Sequence, residues 1–463
     1  MSFDRIMWSS QPASYYLSSS FAQVGDMIPT LSKPVKGNFC AVEDSLMAYE
    51  QRLAEGQLVR GVRHSTGYNL PQSSPLAGSR PNGDPTHHSR RGTPALSNTS
   101  TTGRFDTLLT ELASRRQRVY DYLFASEYAK SFAPQHLHDA AFSYLKMGGK
   151  SLRPAVLLLT CAAVGGEEQV AIPAAAGIEV YHTWTLVHDD IIDRDDRRRG
   201  APTVHVEFAE RGAKEFGLPA GEAEHYGHVI GILAGDVQQS WSYMLFHEMH
   251  NTYGVNAALV LRLVGELATN VQLKLVEGEL LDVQYAKREV RALSEALVVE
   301  MLRKKTGILY EFAGRAGATI GLGDATMTDP RIANIGEFCS RCGTAFQLQD
   351  DILGVIGSAE KTGKPVGADI REGKKTLIVY RALLNANEAQ RQELLSIIGN
   401  VGATADEIAR ATKLLIDLGG IEYTQKLATS MVDEGLQLLL QLPASTHRDL
   451  LQQWAEYLID RPL

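Results

Sequence analysis

The chain has 463 residues, 44% of them hydrophobic and 22% charged, with a net charge of −8. That balance is globular rather than disordered, and its acidity excludes a general nucleic-acid binder, so local basic clusters belong to sites. Four cysteines are too few for a disulfide framework at this length; they fit a reducing compartment, and a cytoplasmic location is expected.

Residues 1–104 differ from the rest. Ser, Pro, Gly, Asn and Thr crowd positions 64–103, a composition that cannot bury a core and reads as a flexible extension. Ahead of it, AVEDSLMAYEQRLAEGQLVRG (41–61) reads as one short amphipathic helix. A targeting segment, a regulatory arm and translated sequence upstream of the true start all stay open for this extension. Asp4, Asp26, Glu43 and Asp44 weigh against an organellar transit peptide. No apolar run reaches the roughly 18 residues of a membrane span; the longest lies between Arg153 and Glu167.

From about Phe105 onward, apolar residues recur at spacings of three and four, and no strand alternation persists. Residues 105–463 are therefore expected to form one all-α domain whose helices pack around a central cavity. Its first chemical feature is KMGGKSLRP, where Gly148 and Gly149 make a turn and a helix begins near Leu152. Lys150 and Arg153 there oppose the helix macrodipole, which a shared anion explains, since helix N-termini bind phosphate.

A helix is predicted from about Pro173 to Asp193, and it places His182, Leu186, Asp189 and Asp193 on one stripe. The carboxylates of this DDxxD cluster emerge from an apolar segment, GIEVYHTWTLVH, so a solvated charge run is the weaker reading. Two such carboxylates suit Mg²⁺, which in hard-oxygen sites bridges to phosphate. Arg197, Arg198 and Arg199 follow, the residue type that grips phosphate through two parallel hydrogen bonds. A metal clamp beside an arginine clamp suggests a diphosphate substrate.

Farther on, Leu297, Met301, Ile308 and Phe312 are expected near one helix face, with Lys305 among them and Thr306 adjacent. Lys305 either snorkels to solvent or points into the cavity of the aspartates. Cys339 and Cys342 form a CxxC without further zinc ligands nearby, and are read as small buried helix residues. In FQLQDDILG, Gln347, Asp350, Asp351 and Gly354 share a face; the loop behind them carries Lys361, Lys364, Lys374 and Lys375 and suits phosphate or a lid.

GGKSLRP, EVYHTWTLVHDDIID, RRGAPTVH, KKTG, FQLQDDILG and TGKPVGADIREGKKT occur in this order over residues 105–460. Through them the chain resembles the polyprenyl synthetases, the trans-isoprenyl diphosphate synthase family. The resemblance implies a bundle of about a dozen helices around a deep cavity, usually in a homodimer. It implies that Lys150, Arg153, His182 and Arg199 hold isopentenyl diphosphate. Asp189, Asp193 and Asp350 would ligate Mg²⁺, three ions with substrate bound. Arg198, Lys305, Thr306, Gln347, Lys364 and Lys374 would meet the allylic diphosphate, Thr306 and Gln347 lying near the developing cation. Lys374 or Lys375 would close the site. Gly354 departs from the family's fuller second motif, which has aspartate there and supports the third metal through water.

Trp184 lies five residues before Asp189, roughly 7.5 Å deeper along a helix, and Tyr181 a turn below. By the same resemblance a bulky residue at Trp184 limits the product, so geranylgeranyl diphosphate (C20) is expected ahead of farnesyl (C15), with longer products last. Two other readings compete. A terpene cyclase would not need Lys150, Arg153 and Arg199, having no second diphosphate to hold. A non-catalytic partner subunit would lose aspartates that are present here.

Overall fold

The computed structural model describes residues 103–357 and 367–460, all within one compact unit, Ala95–Leu463. The short helix expected in 41–61, Lys361 and Lys364 lie outside the described residues. The chain forms α1 (Asp106–Phe124), α2 (Gln135–Met147), α3 (Leu152–Ala163) and α4 (Glu168–Asp193), then a hairpin of β1 (Arg197–Arg198) and β2 (Ala201–Pro202). Next come α5 (Val204–Phe216), α6 (Ala220–Tyr253), α7 (Ala257–Glu266), α8 (Gln272–Lys287), α9 (Glu295–Leu302), α10 (Ile308–Leu322) and α11 (Pro330–Ile356). The rest is α12 (Ala368–Glu372), α13 (Leu377–Asn385), α14 (Glu388–Ile397), α15 (Ala405–Asp417), α16 (Gly420–Leu439) and α17 (Thr446–Ile459). Apart from that hairpin, the described residues adopt the expected all-α architecture.

α4 is buried on most sides because its segment from Ala171 to Val187 is almost wholly apolar. It packs along α6, with α3 on its flank; α10 joins α3 to α11, and α11 runs along α16. Phe246, Phe312 and Phe338 are fully buried in these seams, each contributing about 2–3 kcal/mol. Caps set the helix starts. Asp329 accepts from the Arg331 backbone N–H with Pro330 in the first turn of α11, and Thr376 caps α13.

Four details differ from expectation. α4 starts at Glu168 and passes through Pro173; the carbonyl that proline leaves unbonded, on Gln169, belongs to an exposed residue and can turn to water. The arginine run folds into an antiparallel hairpin pairing Arg197 with Pro202 and Arg198 with Ala201. Its two-residue turn, Arg199-Gly200, has positive φ at both positions (52° and 80°), the signature of the turn that matches strand twist. Leu297 is 41% exposed while Met301, Ile308 and Phe312 are buried. The chain between α9 and α10 is a π-helical turn, Arg303–Gly307, whose extra residue breaks the regular spacing. The cysteine pair is buried in α11 as expected.

Candidate active site

α4 is the spine of the site. It turns Glu179, His182, Leu186, Asp189 and Asp193 toward a cavity of about 590 Å³. Glu279 and Asp282 of α8 line the same cavity, with Lys305 and Thr306 of the π turn. α11 adds Gln347, Asp350, Asp351 and Gly354, and the segment beyond adds Asp369 and Lys374. Lys305 therefore points inward, not to solvent. Gly278 makes this possible: a Cβ there would stand 2.3 Å from the Lys305 backbone nitrogen, so only glycine lets α8 lie this close to the π turn.

One end of the cavity is acidic. Asp189, Asp193 and Glu279 each offer an oxygen, all within 4.8 Å of one another. Lys305 Nζ lies 2.8 Å from Asp282, 2.9 Å from Glu279 and 3.3 Å from Asp189. Lys374 Nζ lies 2.8 Å from Asp193 and 3.1 Å from Glu372. Burial opposes charge on Asp189, but Lys305, Lys374 and Arg198 outweigh it and hold its carboxyl at about 2. Burial likewise opposes the Lys305 and Lys374 ammonium groups and is outweighed by their carboxylates, so both stay well above the usual lysine value. Burial pushes Glu279 up to about 7; the Lys305 charge relieves this in part, and Asp189 and Asp282 reinforce it. The oxygen set is hard and anionic, and Asp189 Oδ1 is buried with the Lys305 ammonium 3.3 Å away. These residues fit a magnesium ion. Asp350 faces the same cavity from α11 but does not join the close group.

The two aspartates after His188 have different tasks. Asp190 is fully buried and accepts two bonds from Arg198 Nε, at 2.7 and 2.9 Å, and one from Nη2 at 2.5 Å. Tyr144 donates its hydroxyl to it as well. Arg198 is thus anchored by Asp190 while still lining the cavity. Along α11, Thr306 Oγ1 donates to Gln347 Oε1 at 2.8 Å, and Gln347 Nε2 donates to Asp351 at 3.0 Å. At Gly354 a Cβ would stand 2.5 Å from Asp369 Oδ2. A carboxylate from α12 therefore occupies the space beside the position where the second motif lacks one. Lys374 reaches Asp193, whereas Lys375 bonds the Gly373 carbonyl and does not line the cavity.

The other end is basic, with Lys150, Arg153, Arg198 and Arg199 around His182. Arg153 stacks on Tyr310, 4.3 Å from the ring centre, and its Nη1 is 3.0 Å from His182 Nε2. Burial, then Arg153, Arg199 and Arg198, hold His182 well below the usual histidine value. The ring is neutral, accepts from Arg153 and adds no positive charge. Of the residues expected in the site, Lys364 lies outside the described residues, and Trp184 and Tyr181 do not line the cavity. They are buried behind its wall: Trp184 Nε1 donates to His188 Nδ1 at 3.1 Å, and Tyr181 packs its ring against Trp184 and toward Tyr243 of α6. Sequence reasoning missed Glu179, Glu279, Asp282 and Asp369. An EGELLD segment signals an amphipathic helix, and nothing local says which face is enclosed.

The polyprenyl synthetase family model matches residues 134–415. The chain belongs to the polyprenyl synthetase family. It is a prenyltransferase of isoprenoid biosynthesis. It is 34% identical to a geranylgeranyl diphosphate synthase of Methanosarcina mazei over 77% of this chain and 98% of that protein. It is also 34% identical to a geranylfarnesyl diphosphate synthase of Aeropyrum pernix, over 72% of this chain and 96% of that one. A geranylgeranyl pyrophosphate synthase from Corynebacterium glutamicum, solved with isoprenyl diphosphate and magnesium, superposes with a TM-score of 0.67 at 28% identity, covering 77% of this chain and 99% of that one. Among the described residues of this polyprenyl synthetase, no helix is long and apolar enough to cross a membrane.

Glu279 gives the metal-free polyprenyl synthetase a pH signature. Its folded value of about 7 lies above the ordinary 4.5, so the unfolded chain releases this proton first. The resulting penalty is absent below the ordinary value, grows as pH rises toward 7, and is complete above it. Glu279→Gln is therefore expected to raise the melting temperature at pH 8 in chelator, by a stability gain on the order of 3 kcal/mol, and to leave it unchanged near pH 4. Thermal melts across that range test this; a pH-independent effect would contradict it.

Proposed function

We propose that this chain is a short-chain synthase that condenses isopentenyl diphosphate with an allylic diphosphate, and that its main product is geranylgeranyl diphosphate. The observation that carries the reading is one cavity with two unlike anion subsites. Carboxylates and two lysines stand at one end, and a carboxylate-poor basic patch stands at the other. Lys150, Arg153, His182 and Arg199 hold the diphosphate of isopentenyl diphosphate. Asp189, Asp193 and Asp350, joined by Glu279, hold up to three magnesium ions, and Asp369 takes the place of the carboxylate missing at Gly354. Magnesium, when bound there, supplies Lewis acidity toward the allylic diphosphate.

The residues themselves do the rest. Arg198, Lys305, Lys364 and Lys374 contact the allylic diphosphate and stabilise the charge that builds on it as the C–O bond breaks. Thr306 and Gln347 present oxygen dipoles to the allylic cation, their hydrogen bond to one another fixing the geometry. The double bond of isopentenyl diphosphate attacks that cation, and a proton leaves to the departed diphosphate. No protein nucleophile is required. The catalytic domain is residues 105–463, with 1–104 as an extension. Purified chain, labelled isopentenyl diphosphate and each of dimethylallyl, geranyl and farnesyl diphosphate test the reading. Elongated products with magnesium and none with chelator are expected; turnover in chelator would refute it.

For product length, Leu275 and Leu309 line the cavity and belong to the same buried cluster as Trp184 and Tyr181. The aromatic pair thus backs the apolar wall that a growing tail meets. Trp184→Ala is expected to shift the main product from C20 to C25 or longer, at a stability cost of about 3–5 kcal/mol. Radiolabelled product chromatography reads this; an unchanged length would remove Trp184 from the account.

We also propose a homodimer. Leu273, Val276, Leu280 and Val283 make an exposed apolar stripe along α8, 39–70% accessible, with Leu261 of α7 and Met244 of α6 exposed as well. Such a continuous stripe is what a second copy would cover. Leu280→Asp is expected to give a monomer by sedimentation velocity and at least a tenfold lower rate, because α8 carries Glu279 and Asp282 on its other face. A monomeric wild type would overturn this.

A further inference from the structure

A carboxylate stands in the basic subsite, where electrostatics alone would exclude it. Glu179 of α4 lines the cavity beside Lys150, Arg153, His182 and Arg199, and it is 5% exposed. Its Oε1 accepts hydrogen bonds from Ser151 Oγ at 2.7 Å and from Tyr120 OH at 3.0 Å. Its Oε2 is buried without a hydrogen-bond partner. A negative charge here weakens diphosphate binding, so it must do something that offsets the repulsion.

Ser151 shows what that is. It joins Lys150 to Arg153 through a backbone in the left-handed region, φ 47° and ψ 44°, which disfavours any residue with a Cβ. The turn ahead of it is pinned from outside. Arg116 donates to the Gly149 carbonyl at 3.0 Å, and the Arg199 guanidinium lies where a Cβ of residue 149 would be, 2.7 Å from its Nη2. At Ser151 itself the hydrogen bond to Glu179 ties the strained residue to α4. Burial and the Glu179 charge push the Tyr120 phenol well up, so Tyr120 remains a donor and completes the bridge to α1.

We propose that Glu179 is a positioning residue for the isopentenyl diphosphate subsite: by holding Ser151, and through it the Gly148–Arg153 turn, it fixes where Lys150 and Arg153 meet the diphosphate. The inference rests on the assignment of that subsite above. It makes a prediction of unexpected sign. If Glu179 acted only through its charge, its removal would tighten diphosphate binding. As a positioning residue, its removal loosens binding.

Calorimetric titration of the full chain with isopentenyl diphosphate, beside steady-state kinetics, separates these. Glu179→Ala is expected to raise Kd and KM for isopentenyl diphosphate about tenfold, with KM for the allylic substrate and kcat within about threefold. Glu179→Gln keeps the acceptor oxygen without the charge and should bind as wild type or more tightly. Ser151→Ala, which leaves α4 intact should Glu179→Ala fail to fold, should weaken binding like Glu179→Ala. Ser151→Gly introduced into Glu179→Ala should restore much of the affinity, because glycine adopts the left-handed turn unaided. Unchanged or tighter binding in both Glu179→Ala and Ser151→Ala, or no rescue by glycine, overturns the proposal. A wild-type chain that binds isopentenyl diphosphate without elongating it refutes the enzymatic reading alone and leaves the Kd comparison valid.

Discussion

Asp189→Asn is expected to lower kcat by about a thousandfold or more and to destabilise the metal-free protein only modestly, because the lost ion pair with Lys305 is partly offset by relief of Glu279. Its neighbour should behave in the opposite way. Asp189 faces the cavity, is ionised at every working pH because Lys305, Lys374 and Arg198 outweigh its burial, and forms ion pairs with mobile-ended cations, Lys305 at 3.3 Å and Arg198 at 3.5 Å. Its loss leaves Lys305 paired with Glu279 and Asp282, so the fold keeps its internal neutralisation while the magnesium site loses a ligand. Asp190 points away and is spent on Arg198 and Tyr144. Asp190→Asn removes the anion from a buried pair, which typically costs about 3–5 kcal/mol, and frees Arg198. Melting curves, initial rates and Mn²⁺ binding on the two variants check the contrast. Equal rate loss and equal destabilisation at both positions would show that adjacent motif aspartates are not divided between chemistry and scaffold.

Half of that division is legible in the sequence, where the helical stripe takes Asp189 and leaves out Asp190; the partners of Asp190, Arg198 and Tyr144, are not. Helical spacing places Asp189 with His182 and Asp193, and the cavity confirms that stripe. Spacing also places Gln347, Asp350, Asp351 and Gly354 together, and all four line the cavity. What spacing cannot supply is the neighbour that arrives from elsewhere in the chain. Glu279 and Asp282 are enclosed only because Gly278 lets α8 approach the π turn, and that turn is a local change of helical pitch with no composition of its own. Asp369 returns beside Gly354 after an intervening segment, so a motif that looks incomplete in one dimension gains its carboxylate in three. The Arg199-Gly200 turn is nearer to legible, since glycine at the second turn position is its sequence signal and φ is positive at both residues. Trp184 shows what depth along a helix leaves open: the ring packs on Tyr181 and His188 of α4 itself and does not line the cavity.

Lys305→Met should separate two tasks of one ammonium group. In the metal-free protein Lys305 is the cation shared by Asp189, Glu279 and Asp282, and those three partners keep its own pKa high against burial. Methionine retains the apolar stem and removes the charge. Three enclosed carboxylates then repel one another, and a loss of about 3–5 kcal/mol is expected at pH 8 in chelator. The loss should shrink as pH falls, because the folded-state carboxyl pKa values rise without the ammonium and protonation removes the repulsion. Magnesium should stabilise the variant more than the wild type, since a divalent ion binding the folded state now supplies the missing charge. It should not restore the rate. An ammonium that neutralises the leaving diphosphate acts at a place and moment that a metal on the carboxylates does not replace, so kcat should stay about a hundredfold to a thousandfold low with magnesium saturating. Thermal melts with and without magnesium, paired with initial rates, read both quantities on the same protein. Recovery of both with magnesium would reduce Lys305 to a stand-in for the metal; recovery of stability alone would establish it as part of the chemistry.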